Sequence, residues 1–274
     1  LGENWSLYCL DLAHDRAIFV ELPQGADLAL APFAYAEQFQ LAHRAAALPL
    51  TALSGLAARV APPENLVLLM STGRCGSTLV SRILSKIPGV WSLSEPDWPT
   101  NLALERFGVE HAKRAMLIAA CTRLTCRPPN PLKTRAIVIK PRSEMVCQAS
   151  AFVDVLQGAR AVFLYRDCQG YVNSVHRFAQ KVQGVANPPR GTREWEVVRH
   201  LATIGSPESL LESYFLPGEE MGAVDLMALG WVLRMDAYRK ASGGGMHVTP
   251  IHYRDLNTDR AGQTRLLLKE CGMA

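Results

Sequence analysis

The stretch LVLLMSTGRCGSTLVSRIL, Leu66 to Leu84, constrains the fold more than any other part of the chain. Five apolar residues enter a turn that holds Gly73 and Gly76, and the hydroxyl residues Ser77 and Thr78 then open a helical pattern. Strand, glycine turn and helix in that order place a nest of backbone N–H groups at a helix N-terminus, where phosphate binds. Gly73 and Gly76 let the backbone approach oxygen atoms, and Arg74 adds a permanent cation with a planar fork of donors. Cys75 fits the turn as a small residue. Two other phosphate loops are excluded. An ATP-binding Walker loop needs a lysine directly after its last glycine, where this chain has Ser77. A cysteine phosphatase loop would need its arginine one position before Arg82.

Beyond this loop, short β-rich runs alternate with helical patterns. Strands are expected at 66–71, 90–94, 135–140, 160–165 and 247–252. Helices are expected at about 76–87, 99–125, 143–157, 168–181, 219–241 and 256–270. Such alternation predicts an α/β fold with a doubly wound, mostly parallel sheet flanked by helices. Its ligand should lie outside the carboxyl ends of the strands. Residues 6–11 and 17–22 read as a β-hairpin, and the Ala-rich stretch 32–48 reads as a helix. Pro62-Pro63 closes this region, so 1–60 is expected to be an extension packed on a main domain of 61–274. Residues 184–218 read as a long loop or lid with a short helix, and Gly243-Gly244-Gly245 as a helix stop.

The second chemical motif is AVFLYRDCQGYVNSVHRF, Ala161 to Phe178. Arg166 follows the strand, Asp167 is placed to cap the next helix, and Ser174 lies two helical turns beyond Asp167 on the same face. Arg166 and Ser174 can then grip one anionic group between them.

The two segments resemble the cofactor-binding motifs of the PAPS-dependent sulfotransferases, where PAPS is 3′-phosphoadenosine 5′-phosphosulfate. Arg166 and Ser174 stand eight residues apart, as the family's arginine and serine do at the 3′-phosphate. Three further segments, IPGVWSLSEP (87–96), VIKPRSE (138–144) and VTPIHYRDL (248–256) with Cys271-Gly272 beyond it, resemble family segments in the right order. The likeness extends over about 66–271 and is closer to tyrosylprotein and carbohydrate members than to cytosolic ones. It implies a P-loop-like fold, with the first loop (Gly73, Arg74, Cys75, Gly76, Ser77 and Thr78) at the 5′-phosphosulfate. It also implies that Arg166 and Ser174 hold the 3′-phosphate and that Tyr253 contacts the adenine. Arg74 and Lys140 are then the catalytic cations, and Glu95, 21 residues after Arg74, is the base, with Asp97 and His176 in reserve. Two departures stand out. Arg142 occupies the place of the cytosolic members' catalytic histidine, and their glycine- and basic-rich C-terminal segment has no counterpart after Gly272.

The expected activity is transfer of a sulfuryl group from PAPS to a hydroxyl, less readily an amine, of a small molecule, carbohydrate or peptide. A nucleotide kinase and a non-catalytic PAP- or nucleotide-binding protein remain as alternatives, PAP being the desulfated product. Composition agrees with a small anionic ligand, since a net charge of +4 is too mild to argue for nucleic acid. Seven cysteines in no framework spacing favour free thiols, a reducing compartment and hence a cytoplasmic location. The chain opens at Leu1, so an upstream segment can precede it. Neither a membrane span nor a metal motif is expected.

Overall fold

The computed structural model describes residues 2–104, 109–184, 187–204, 206, 221–244 and 247–273. Its centre is a five-stranded, all-parallel sheet in the order β5-β6-β4-β7-β8. The strands are β4 (Leu66–Ser71), β5 (Val90–Ser94), β6 (Ala136–Lys140), β7 (Arg160–Tyr165) and β8 (Val248–His252). All five were expected from the apolar runs. Because β6 and β7 flank β4 on opposite sides, the strand order reverses there, and a crevice opens outside its carboxyl end. Pro250 lies within β8 and cannot donate to a ladder, which suits a strand at the sheet's edge.

Both faces of the sheet are covered, and successive residues of one strand enter different cores. Val67, Leu69, Val138, Val162 and Leu164 pack with α3 (Ser77–Leu84) and the C-terminal helices α10 (Tyr253–Thr258) and α11 (Arg260–Glu270). Leu68, Met70, Ile139 and Phe163 face the other way, toward α4 (Trp98–Leu104), α5 (His111–Thr125), α6 (Ala149–Val155) and the N-terminal strands. Double-sided burial is why these strands read as unbroken apolar runs. A third cluster joins α7 (Cys168–Gln183), α8 (Arg193–Thr203) and α9 (Ala223–Gly243).

Several expectations need correction. The N-terminal region forms a three-stranded antiparallel sheet, β1 (Trp5–Asp11), β2 (Arg16–Glu21) and β3 (Arg44–Pro49), followed by α2 (Leu53–Ala57). The helix expected over 32–48 is only α1 (Ala34–Leu41), because the open edge of β2 captures the Ala-rich segment that follows. There Arg44 pairs opposite Glu21 and donates to its carboxylate at 2.9 Å. Pairing has overridden helix propensity. The single helix expected over 99–125 is two, α4 and α5, with 105–108 outside the described residues. The 143–157 helix begins as a 3₁₀ turn, Ser143–Gln148. The C-terminal helix breaks at Asp259, whose carboxylate accepts from the Gly262 N–H at 2.8 Å and restarts the chain as α11. Within 184–218, α8 supplies the short helix, while 185–186, 205 and 207–218 lie outside the described residues, as do 219–220 and 245. Helix α9 ends on Gly244 as its cap.

Trp98 ties the layers together. It is fully buried and stacks on Phe152 with ring centres 5.8 Å apart, while its helix packs against β1 and the 143–148 turn. Its indole N–H has no hydrogen-bond partner among the described residues. Trp98→Ala should therefore cost about 3–5 kcal/mol of stability. Trp98→Phe, which removes the orphaned donor and keeps the ring, should cost well under half of that, as read from urea unfolding midpoints.

Candidate functional site

Parallel strands end on one side, and each of the five delivers a chemical group there. Glu95 follows β5, Lys140 ends β6, the glycine loop follows β4, Arg166 follows β7 and Tyr253 follows β8. The loop is held in a conformation that L-residues rarely adopt. Gly73 and Gly76 have φ of 85° and 83°, and Arg74 between them has φ of 57°. A side chain at position 73 would press on Ser143, its Cβ only 3.0 Å from the Ser143 hydroxyl. The loop is anchored to β7, because the Leu164 carbonyl accepts from the Thr72 N–H at 3.0 Å and from the Cys75 thiol at 3.3 Å. Burial pushes the Cys75 thiol up. Buried and bonded to the Leu164 carbonyl, Cys75 tethers the loop to β7. Helix α3 begins at Gly76 with no side-chain cap, so the N–H groups of its opening turn, with Ser77 and Thr78, are not capped by a side chain.

On the β7 side, the expected partners come together. Asp167 caps α7 by accepting from the Gly170 N–H at 2.6 Å, an interaction that lowers its pKa. Arg166 donates from Nη1 to the Arg74 carbonyl at 3.0 Å, and its guanidinium lies 4.5 Å from the centre of the Tyr253 ring. Arg74 donates from Nε to the Ser174 hydroxyl at 3.2 Å and lies 4.9 Å from the Phe178 ring centre. Arg74, Arg166 and Ser174 are therefore linked directly or through one peptide group. Among the described residues neither arginine is ion-paired to a carboxylate, and Arg166 Nε is buried without a partner. Two guanidiniums with no close ion pair among the described residues, Asp167 acting on Arg166 only at longer range, and an orphaned donor suit an anion.

On the β6 side, Lys140 is almost wholly buried and is ion-paired with Glu95. Glu95 has φ of 55°, and its N–H donates to the Lys140 carbonyl at 2.6 Å. Arg142 reaches Glu95 at 3.7 Å and Asp97 at 2.9 Å, and lies 4.1 Å from the Tyr35 ring centre. Asp97 in turn accepts from Asn101, whose amide oxygen accepts from the Leu10 N–H at 2.8 Å. A chain of alternating charge thus runs from Lys140 to the N-terminal sheet. Asp97 is committed to this structural pair. His176 stands on α7 two residues beyond Ser174, and no hydrogen bond or ion pair joins it to this group among the described residues.

Several contributors escape a reading of the sequence. Gly170, Ser174 and Phe178 recur every four residues along one face of α7, a spacing that carries the signal once Ser174 is suspected. Trp231 donates its indole N–H to the Arg166 carbonyl at 2.9 Å and so holds the end of β7. Tyr35 and Asn101 join the site only through tertiary contacts. No group of three or more metal-ligating side chains stands together among the described residues, and no described helix is long and apolar enough to cross a membrane.

No family model matches the sequence, and no curated protein matches it. Among solved structures, the chain is similar to a sulfotransferase from Alicyclobacillus acidocaldarius at 15% identity and a TM-score of 0.45, covering 78% of this chain and 83% of that one. It is also similar to a mouse sulfotransferase complexed with PAP, at 14% identity and a TM-score of 0.40, covering 82% of this chain and 64% of that one. Likeness at this level assigns no residue of the site.

Gly170 offers a direct test of the arginine cradle. A Cβ there would lie 2.7 Å from Arg166 Nη2 and 2.8 Å from its Nε. Gly170→Ala should displace Arg166 and weaken binding of inorganic phosphate or pyrophosphate. The same Cβ would lie 2.9 Å from the Asp167 carboxylate that caps α7, so the helix should gain less than the ~1 kcal/mol that alanine's better propensity offers. Phosphate titration followed by thermal unfolding of the same variant separates the two effects.

Proposed function

We propose that this chain is a sulfotransferase that uses PAPS as donor and a hydroxyl, less readily an amine, as acceptor. The observation that carries the reading is the meeting of Arg166 and Ser174 with the β4 loop, beside a buried lysine–carboxylate pair at the end of β6. The residues fit the donor substrate. The Ser71–Thr78 loop and the opening of α3 suit the 5′-phosphosulfate, Arg166 and Ser174 suit the 3′-phosphate, and Tyr253 lies next to both Gly76 and Arg166.

Glu95 accepts the proton of the acceptor hydroxyl as its oxygen attacks sulfur. The bond from sulfur to the bridging phosphate oxygen breaks, and its electron pair stays on that oxygen. Lys140 meets the charge appearing there. The ion pair couples the two events. A proton arriving on Glu95 neutralises the carboxylate and leaves the Lys140 charge uncompensated just as negative charge grows on the leaving group. The Arg142 guanidinium, stacked on Tyr35 and bonded to Asp97, keeps the Glu95 carboxylate in place from its other oxygen. This accounts for an arginine where cytosolic members of the resembling family carry histidine. A metal has no part in this scheme.

Calorimetric titration tests the reading. PAP should bind the wild type, and Arg166→Ala should weaken it by about 10–100-fold, the loss expected for charge-assisted hydrogen bonds. ATP with magnesium bound in place of PAP would overturn the proposal in favour of phosphoryl transfer. With an acceptor in hand, Glu95→Gln should lower turnover by about 10²–10⁴. PAP binding with no transfer to any hydroxyl acceptor would instead mark a non-catalytic binding protein.

A further inference from the structure

We propose that the N-terminal extension is the acceptor wall of the site, where Tyr8, Phe33, Tyr35 and Phe39 select a hydroxyl carried on a planar apolar ring over one carried on a sugar. The inference rests on the PAPS reading and names the acceptor class within it. In-line transfer fixes where the acceptor stands, because the attacking oxygen must lie opposite the leaving group. In that reading the nucleotide lies toward β7 and β8, with Arg166 and Tyr253, while the base Glu95 follows β5 at the other edge of the sheet. The acceptor therefore enters from the β5 side. There the extension stands. Strand β5 packs against the 3₁₀ turn Leu28–Leu30, and its Trp91 donates the indole N–H to Asp27 at 2.9 Å.

Two elements of the extension bring aromatic side chains to the base. Tyr8 is the extra residue of a bulge in β1, since Leu7 pairs with Phe19 while Cys9 already pairs with Ile18. A bulge re-aims the side chain it carries, and the charges of Asp97 and Arg142 act on the Tyr8 hydroxyl. Burial, and then Asp97, push that hydroxyl's pKa up, so it stays a protonated donor. On α1, the Tyr35 ring centre lies 4.1 Å from the Arg142 guanidinium, which reaches Glu95 at 3.7 Å. The Phe33 ring follows, 6.1 Å from Tyr35 between centres, and Phe39 lies one helical turn beyond Tyr35 on the same face. Tyr35 is half-buried, Phe33 is 37% exposed and Phe39 73% exposed, so an aromatic strip runs from solvent to the proposed base. Such rings take a planar ring by offset or edge-to-face contact. A sugar laid there would strip water from several hydroxyls, and four rings offer only the hydroxyls of Tyr8 and Tyr35 in return.

The probes are β-naphthol and glucose, each offered with PAPS to wild type and to two double variants, Phe33→Ser/Phe39→Ser and Phe33→Leu/Phe39→Leu. Each protein is first titrated with PAP, which reports both that it is folded and that the donor side is intact. Wild type should sulfate β-naphthol with a kcat/KM about 100-fold or more above that for glucose. The serine variant should raise KM for β-naphthol by about tenfold, with kcat and PAP binding within about twofold, the signature of lost acceptor binding. The leucine variant keeps apolar area without the rings and should raise KM by only about threefold. Preference for glucose, no transfer to β-naphthol by a wild type that binds PAP, or a KM for β-naphthol that neither variant moves overturns the acceptor wall while PAP binding stands. Failure of the wild type to bind PAP overturns the PAPS reading, and this proposal with it.

Discussion

The common carboxyl edge of five parallel strands is the constraint on which the rest of the structure depends. Each strand is anchored in two cores at once, so its last residue is held as firmly as the sheet itself. Groups far apart in the chain, from Glu95 to Tyr253, therefore reach one crevice without loops long enough to wander. Strain is concentrated at the same edge. Arg74 and Glu95 both adopt left-handed backbone conformations, which non-glycine residues hold only when surrounding structure compels them. Arg166 and Leu164 supply that compulsion for the loop, and the Lys140 carbonyl does so for Glu95.

The crevice divides the chemistry between its two sides. Toward β7 the charges are guanidiniums with no close ion pair among the described residues, which in the proposed reading hold a phosphate that does not react. Toward β6 the charges alternate in a closed network, suited to moving a proton while a leaving oxygen gains charge. This network also gives the N-terminal sheet a place in the chemistry, because Leu10, Asn101 and Tyr35 reach the proposed base through Asp97 and Arg142.

Much of this was legible in the sequence, for definite reasons. Strands buried on both faces are written as apolar runs, so all five strands of the main sheet could be located. A turn with positive φ favours glycine, so Gly73 and Gly76 could be placed in it, and Asp167 could be placed as a helix cap. Illegible were features set by partners distant in sequence. The Ala-rich run after α1 reads as helix until the free edge of β2 is known. Gly170 reads as an ordinary helical glycine until Arg166 is seen lying where a methyl group would be.

The sequence by itself determined the strand–loop–helix units and the residues at their ends, because those depend on local periodicity and on backbone conformations that only certain residues tolerate. It also placed Ser174 two turns beyond Asp167, since helical spacing is a local property. Only the tertiary structure decided toward which strand the Arg74 side chain leans, and that Glu95 meets Lys140 and Arg142 together. Those contacts depend on strand order, with β6 and β7 on opposite sides of β4, and strand order is set by which faces and edges bury one another when the whole chain packs.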